Sequence, residues 1–189
     1  AVPPNHRIAG SMAPLADCYR PDLSPIHPRS AHAALAKVLA AQHVDILLCE
    51  TFPHIGEAEA ATSAAIETGI ETWVSFTAGP DGTLLTPDQI RKGAERAIAL
   101  GASAILVNCT PASQTTQYLA AIADLGVPFG AYANAGHPDE GMGWVPSKDA
   151  PERYADHAES WVAMGATLLG SCCGTGPQHI HTLWQRFCT

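Results

Sequence analysis

Three cysteines stand where short apolar runs end. Cys109 closes residues 104–110, and the adjacent pair Cys172 and Cys173 follows residues 167–170, just before Gly174-Thr175-Gly176-Pro177. Thiols are soft-metal ligands, nucleophiles or redox partners. Two adjacent thiols and a distant third, with no C-x-x-C pair, supply three ligands of a tetrahedral zinc and leave the fourth corner open, the pattern of a catalytic rather than a structural site. Neighbouring residues on a strand point to opposite faces. Cys172 and Cys173 can share one ion only if the strand ends at them, and Gly170 and Gly174 on either side supply the backbone freedom for that turn.

Zinc held by three thiolates carries a net negative charge and activates water poorly. It still binds a fourth thiol and lowers its pKa. The chemistry expected is therefore attack by a substrate thiolate on an electrophilic carbon, such as a methyl on a positively charged donor. A vicinal-dithiol redox protein is the competing reading, but adjacent cysteines form only a strained ring and Cys109 would then be idle.

These residues need a scaffold that gathers strand ends. Six apolar runs read as strands, at residues 8–12, 45–51, 72–77, 104–110, 128–134 and 167–170. Most are apolar at successive positions, as in parallel strands covered on both sides. Helical patterns alternate with them at 30–44, 55–68, 86–100, 113–125, 151–164 and 177–187. Thr86 and Ser113 read as N-caps, and Gly follows several helix ends. Alternating βα units imply a parallel sheet. Length alone favours an open doubly wound sheet. However, no G-x-G-x-x-G fingerprint is present, and Ser11, Glu50, Asn108, Cys109, Asn134, Cys172 and Cys173 sit at the carboxyl ends of many strands. A TIM-type (β/α)8 barrel converges such residues at one mouth. The fold expected is α/β, a barrel with only six βα units visible (units 3–8), in a single domain over 1–189. The longest irregular stretch, 135–148, follows the fifth strand with Gly136, Pro138, Gly141, Gly143 and Pro146, and reads as a loop over the mouth.

Composition bounds the function classes. The chain has 189 residues, 47% of them hydrophobic, and a net charge of −8, which argues against nucleic-acid binding. No apolar run approaches the ~20 residues of a membrane helix, and no signal peptide is visible. Six scattered cysteines fit a reducing cytoplasm. Cys18, Cys49 and Cys188 read as ordinary residues, and none of the nine histidines is assigned a role.

Val107-Asn108-Cys109 and Gly170-Ser171-Cys172-Cys173-Gly174-Thr175 resemble the zinc motifs of the homocysteine S-methyltransferase family, which is related to betaine–homocysteine methyltransferase and the homocysteine domain of methionine synthase. Ala9-Gly10-Ser11-Met12-Ala13-Pro14, Cys49-Glu50-Thr51 and Tyr132-Ala133-Asn134-Ala135-Gly136 are similar to further segments of that family, in the same order. The resemblance implies a (β/α)8 barrel that transfers a methyl group to zinc-bound homocysteine, giving methionine. It implies that Cys109, Cys172 and Cys173 hold zinc and that Glu50 holds the substrate amino group. Asn134 lies close to the metal in this reading, and the Gly174-Thr175 turn receives the substrate carboxylate. The methyl donor expected is a small cation, S-methylmethionine or S-adenosylmethionine rather than betaine.

Two departures stand out. Ser171 occupies a position where the family more often has Gly. The family's first two βα units, with an Asp and a Gly-rich turn that contact homocysteine, find no counterpart here. The chain then reads as a fragment, a non-catalytic remnant, or a barrel completed as a homo-oligomer and nearly inactive as a monomer.

Overall fold

The computed structural model describes residues 6–145 and 147–188; Ala1 and Pro146 lie outside the described residues. Six strands form one sheet: β1 (Ala9–Met12), β2 (Ile46–Phe52), β3 (Glu71–Phe76), β4 (Ala104–Pro111), β5 (Phe129–Asn134) and β6 (Leu168–Ser171). All five ladders are parallel, and each strand pairs with its neighbours in sequence. A doubly wound sheet reverses its strand order at a switch point. Strictly sequential parallel order gives a barrel wall instead, here six strands of one. Among the described residues no ladder joins β6 back to β1, so the wall is an incomplete barrel.

The crossovers are α1 (Arg29–Ala40), α2 (Ile55–Ile66), α3 (Pro87–Leu100), α4 (Ala112–Ala120) and α5 (Ala150–Ala163), and α6 (Pro177–Phe187) follows β6. The start of α3 is the one the sequence announces most clearly. Thr86 Oγ1 accepts from Gln89 N–H at 3.2 Å, Gln89 Oε1 accepts from Thr86 N–H at 2.8 Å, and Gly101 ends the helix with φ +111°. That pair of bonds is a capping box.

Two helices depart from expectation. Ser113 is not the N-cap of α4: Pro111 holds that position with no side-chain cap, and the helix stops at Ala120, five residues short of Leu125. The apolar pattern runs on through a turn at Ile122 and Leu125, where the bonds are i to i−3. The first helix likewise ends at Ala40 rather than Val44.

The core lies between the sheet's outer face and the helices. Leu47, Cys49, Val74, Phe76, Ile105, Val107 and Ala131 are buried there against Ala58, Ala61, Ala94, Tyr154, Ala158 and Trp161. Alanines on the helices let backbone approach the sheet closely. The inner face differs: Leu48, Trp73, Leu106, Tyr132, Leu168, Leu169 and Gly170 line an apolar hollow of about 210 Å³. No helix among the described residues is long and apolar enough to cross a membrane.

Candidate metal centre

The three thiols singled out by the sequence meet at the carboxyl ends of β4 and β6. Cys109 Sγ lies 4.0 Å from Cys173 Sγ, Cys172 Sγ lies 3.9 Å from Cys173 Sγ, and all three sulfurs fall within 4.8 Å of one another. Zinc–thiolate bonds of ~2.3 Å in a tetrahedron set sulfurs about 3.8 Å apart. The triangle therefore has the size of one face of such a tetrahedron, with the opposite corner free for another ligand. All six cysteines are free thiols.

Backbone strain places Cys109. The pairing of β4 with β5 slips between Asn108 and Pro111, and Cys109 adopts φ +49°. A side chain in this left-handed region costs on the order of 1–3 kcal/mol. Thr51 at the end of β2 repeats the device, with φ +64° beside a register shift between Cys49 and Phe52. Asn108, 1% exposed, ties the two together. Its Nδ2 donates to Thr51 Oγ1 at 2.7 Å, and its Oδ1 accepts from Thr51 N–H at 3.1 Å and Ser75 Oγ at 2.7 Å. The Cys109 carbonyl accepts from Thr77 Oγ1 at 3.3 Å and Asn134 Nδ2 at 3.1 Å.

At β6 the strand ends at Ser171, so Cys172 and Cys173 are free of the strand alternation. Cys172 N–H still donates to Ala133 O at 2.8 Å, and Cys173 O accepts from Ala135 N–H at 2.9 Å. Gly174 turns the chain at φ +77°. The Thr175 hydroxyl closes the turn on Cys172 O at 2.6 Å, and Gly176 N–H donates to His179 Nδ1 at 3.1 Å.

The proton affinities of the thiols suit a cation. The Cys109 thiol beside it draws Cys172 down to about 6, against the effect of burial. Cys109 is pushed up by Cys172 and by burial, and Cys173 by burial and by Cys172. One thiolate forms readily, while two more beside it repel one another unless a positive ion joins them. The donor set fits a soft divalent metal.

The other expected residues lie around the cluster. Glu50 does not cap the following helix; His54 does, its Nδ1 accepting from Glu57 N–H at 3.2 Å. Its carboxylate instead accepts from Ser11 Oγ at 2.5 Å and Tyr132 OH at 2.7 Å, close enough to oppose ionisation of Cys172. The Asn134 side chain is committed to backbone, donating to Cys109 O and accepting from Gly136 N–H at 2.8 Å. Sequence reasoning did not single out four side chains. Tyr132 stands on β5 two residues before Asn134, and Ser75 lies inside β3, a strand for which the sequence marks no candidate. Tyr19 follows β1 and is set against Cys109; burial and the cysteine's charge push its phenol up. Trp144 covers Gly174. Tyr19 and Trp144 lie in loops, where no periodicity marks them.

A sequential parallel barrel wall with three thiols at its mouth, placed so that they could hold a metal ion, defines the class: a barrel protein with a cysteine centre. The particular family follows from the sequence, which matches the homocysteine S-methyltransferase family over residues 2–187. The chain belongs to that family. It is 32% identical over 197 residues to the homocysteine S-methyltransferase of Escherichia coli K12, covering 95% of this chain and 62% of that protein. It is 29% identical over 167 residues to a selenocysteine Se-methyltransferase of Brassica oleracea var. italica, covering 82% of this chain and 47% of that protein. The crystal structure of the E. coli homocysteine methyltransferase MmuM in its oxidized form superposes with a TM-score of 0.75 at 25% identity, over 95% of this chain and 61% of that one. The chain thus spans roughly half to three-fifths of the length of these relatives. A putative phosphonomutase from Burkholderia cenocepacia, at 14% identity and TM-score 0.62, shares the fold.

Proposed function

We propose that this chain carries the zinc and homocysteine sites of a methyltransferase that moves a methyl group from a small cationic donor to the homocysteine thiol. The observation that carries the reading is the triangle of Cys109, Cys172 and Cys173, sized for one tetrahedral ion with a corner left open. Zinc bound there would supply a positive charge that lowers the pKa of an incoming thiol. Family membership supports homocysteine as the owner of that thiol. The relatives' names share the acceptor chemistry, a homocysteine sulfur in one and a selenocysteine selenium in the other.

The chain's own residues do the positioning. Glu50, steadied by Ser11 and Tyr132, receives the substrate ammonium. The Gly174-Thr175 turn, at the start of α6, faces the carboxylate. Asn134 holds the Cys109 carbonyl and so keeps that thiol in line. In the transfer a sulfur–carbon bond forms to the donor methyl as the donor's own sulfonium–carbon bond breaks. The donor leaves as a neutral thioether, and the thiol's proton passes to solvent. S-methylmethionine and S-adenosylmethionine fit this chemistry as small sulfonium donors. A reduced thiol cluster suits the cytoplasm.

The same reading makes the chain part of a larger wall. The outer edges of β1 and β6 have no partner strand among the described residues, and Ile8, 46% exposed, and the hollow beside Leu168 are surfaces that a second copy would cover. The test replaces zinc with cobalt and adds homocysteine across a dilution series followed by light scattering. A cobalt–thiolate absorption near one ion per chain that shifts with homocysteine is expected, with methyl transfer tracking the assembled species. Failure to bind the metal sinks the proposal.

A further inference from the structure

The loop that follows β5 is fastened to the cysteine turn at several points. Ala135 N–H donates to Cys173 O at 2.9 Å, and His179 Nε2 and Met142 O lie 2.6 Å apart. Gly143 passes so near that a Cβ on it would sit 2.0 Å from Gly174 O. These contacts deliver Trp144 onto Gly174, one residue beyond Cys173. A Cβ on Gly174 would lie 2.6 Å from Trp144 Cε2 and 2.7 Å from Cδ2, so only glycine lets the ring lie there. The indole Nε1 donates to Gly136 O, which fixes the ring's edge. Yet Trp144 stays 48% exposed. The other tryptophans contrast with it. Trp161 is fully buried, Trp73 donates its indole N–H to Glu71 on the sheet's inner face, and Trp184 stacks on His181 at the outer helix.

A ring made rigid at its edge, seated on the glycine that follows Cys173 and left half bare is built to meet a ligand. Tyr19 brings a second ring to the same cluster from the β1–α1 loop, against Cys109. Faces of indole and phenol attract cations through the ring quadrupole, indole most strongly. The chain's net charge of −8 adds to that attraction at longer range.

We propose that Trp144, with Tyr19, is the receptor for the positive centre of the methyl donor, binding it as a sulfonium over the aromatic faces beside Cys109 and Cys173. The proposal rests on the function argued above and adds how the donor is recognised. It also accounts for release. Once the methyl has moved, the donor is a neutral thioether and the attraction is gone. The two rings therefore favour the charged donor over its own product.

The experiment is calorimetric titration of the zinc-loaded chain with S-methylmethionine and with methionine, its uncharged counterpart. S-adenosylmethionine and betaine are titrated in parallel, to separate a small sulfonium from a nucleoside sulfonium and a quaternary ammonium. Whichever cation binds most tightly, Trp144→Leu should weaken it about tenfold and Trp144→Phe about threefold, with methionine unchanged. Tyr19→Leu should act in the same direction and less. Equal affinity in Trp144→Leu, an equal loss for methionine and the cation, or no preference of the unaltered chain for a cation would each overturn the proposal. The homocysteine-induced shift of the cobalt–thiolate band is recorded on the same samples. If that shift persists while the cation results fail, the receptor is wrong and the methyltransferase reading stands. If the shift is missing in the unaltered chain, the underlying reading has failed. Should Trp144→Leu fold poorly, the comparison of Trp144→Phe with the unaltered chain decides.

Discussion

The two strand ends that supply the thiols are built differently. β4 is an inner strand, buried along its whole length, and its thiol Cys109 is 5% exposed. Thr77, just past the end of β3, and Asn134 on β5 grip the Cys109 carbonyl, and Asn108 braces the strained backbone beside it. β6 is an edge strand, half exposed throughout, and Cys172 and Cys173 hang from a turn closed by Thr175 and roofed by Trp144. One thiol is preorganised inside the wall, and two are carried at the edge of the sheet. In the proposed reaction the centre admits a fourth sulfur and releases it again, and such a centre would gain from this division. Segments that open locally are drawn from the less stable parts of a fold, while a fixed Cys109 would keep the position of a bound ion defined.

Removing ligands tests the division most severely. Each of Cys109→Ala, Cys172→Ala and Cys173→Ala should lose most of its zinc, as measured by metal content after dialysis. Changing a residue that only supports a ligand costs 10–100-fold in affinity, and loss of a ligand should exceed about 100-fold on the same scale. Cys109→Ala should be the most damaging, because neither edge thiol can move into its place. Full zinc content in that variant would break the comparison outright.

A smaller effect separates the braces. Asn108→Ala should take a partner from the buried Ser75 hydroxyl and the half-buried Thr51 hydroxyl, at about 1–3 kcal/mol for an unsatisfied buried group. Zinc affinity should fall 10–100-fold with it. Thr175→Ala removes one hydroxyl from a turn near the surface and should cost about 1 kcal/mol or less. Chemical denaturation and chelator competition on both variants measure the difference. Equal costs would mean that the edge turn is as rigid as the inner strand.

Asn108 also marks the limit of what the sequence reveals. The βα alternation was legible because parallel strands and amphipathic helices impose period and punctuation on the chain. The six strands fall within about two residues of their expected bounds. The three thiols were legible because ligand type and a Gly-flanked pair constrain one another. The bond from Asn108 to Thr51 spans 57 positions and has no local signature. Its expression in the chain is a β-branched residue at φ +64°, and the preference against that conformation is overridden by tertiary contacts. Ser113 misled for the opposite reason. A good capping residue sat one position inside a helix that β4 delivers directly through Pro111.

Glu50 gives the smallest and most specific test, because it ties an edge strand to an inner one. Its carboxylate accepts one hydroxyl from Ser11 on the edge strand β1 and one from Tyr132 on the inner strand β5. Both partners are neutral donors, so the charge of Glu50 is held in place without being neutralised. Burial and the nearby carboxylate push the Tyr132 phenol well up, which keeps it a donor. Glu50→Gln keeps the shape and can still accept both bonds through its carbonyl oxygen, but it removes the charge offered to a substrate ammonium. Homocysteine binding should weaken by about 1.5–3 kcal/mol, the range for a hydrogen bond to a charged group. Zinc content and thermal midpoint should hardly change. Calorimetric titration of the zinc-loaded variant with homocysteine, beside a melting curve, reads both. An unchanged affinity would reduce Glu50 to a strut between β1 and β5, and an unfolded variant would show that the strut is its main task.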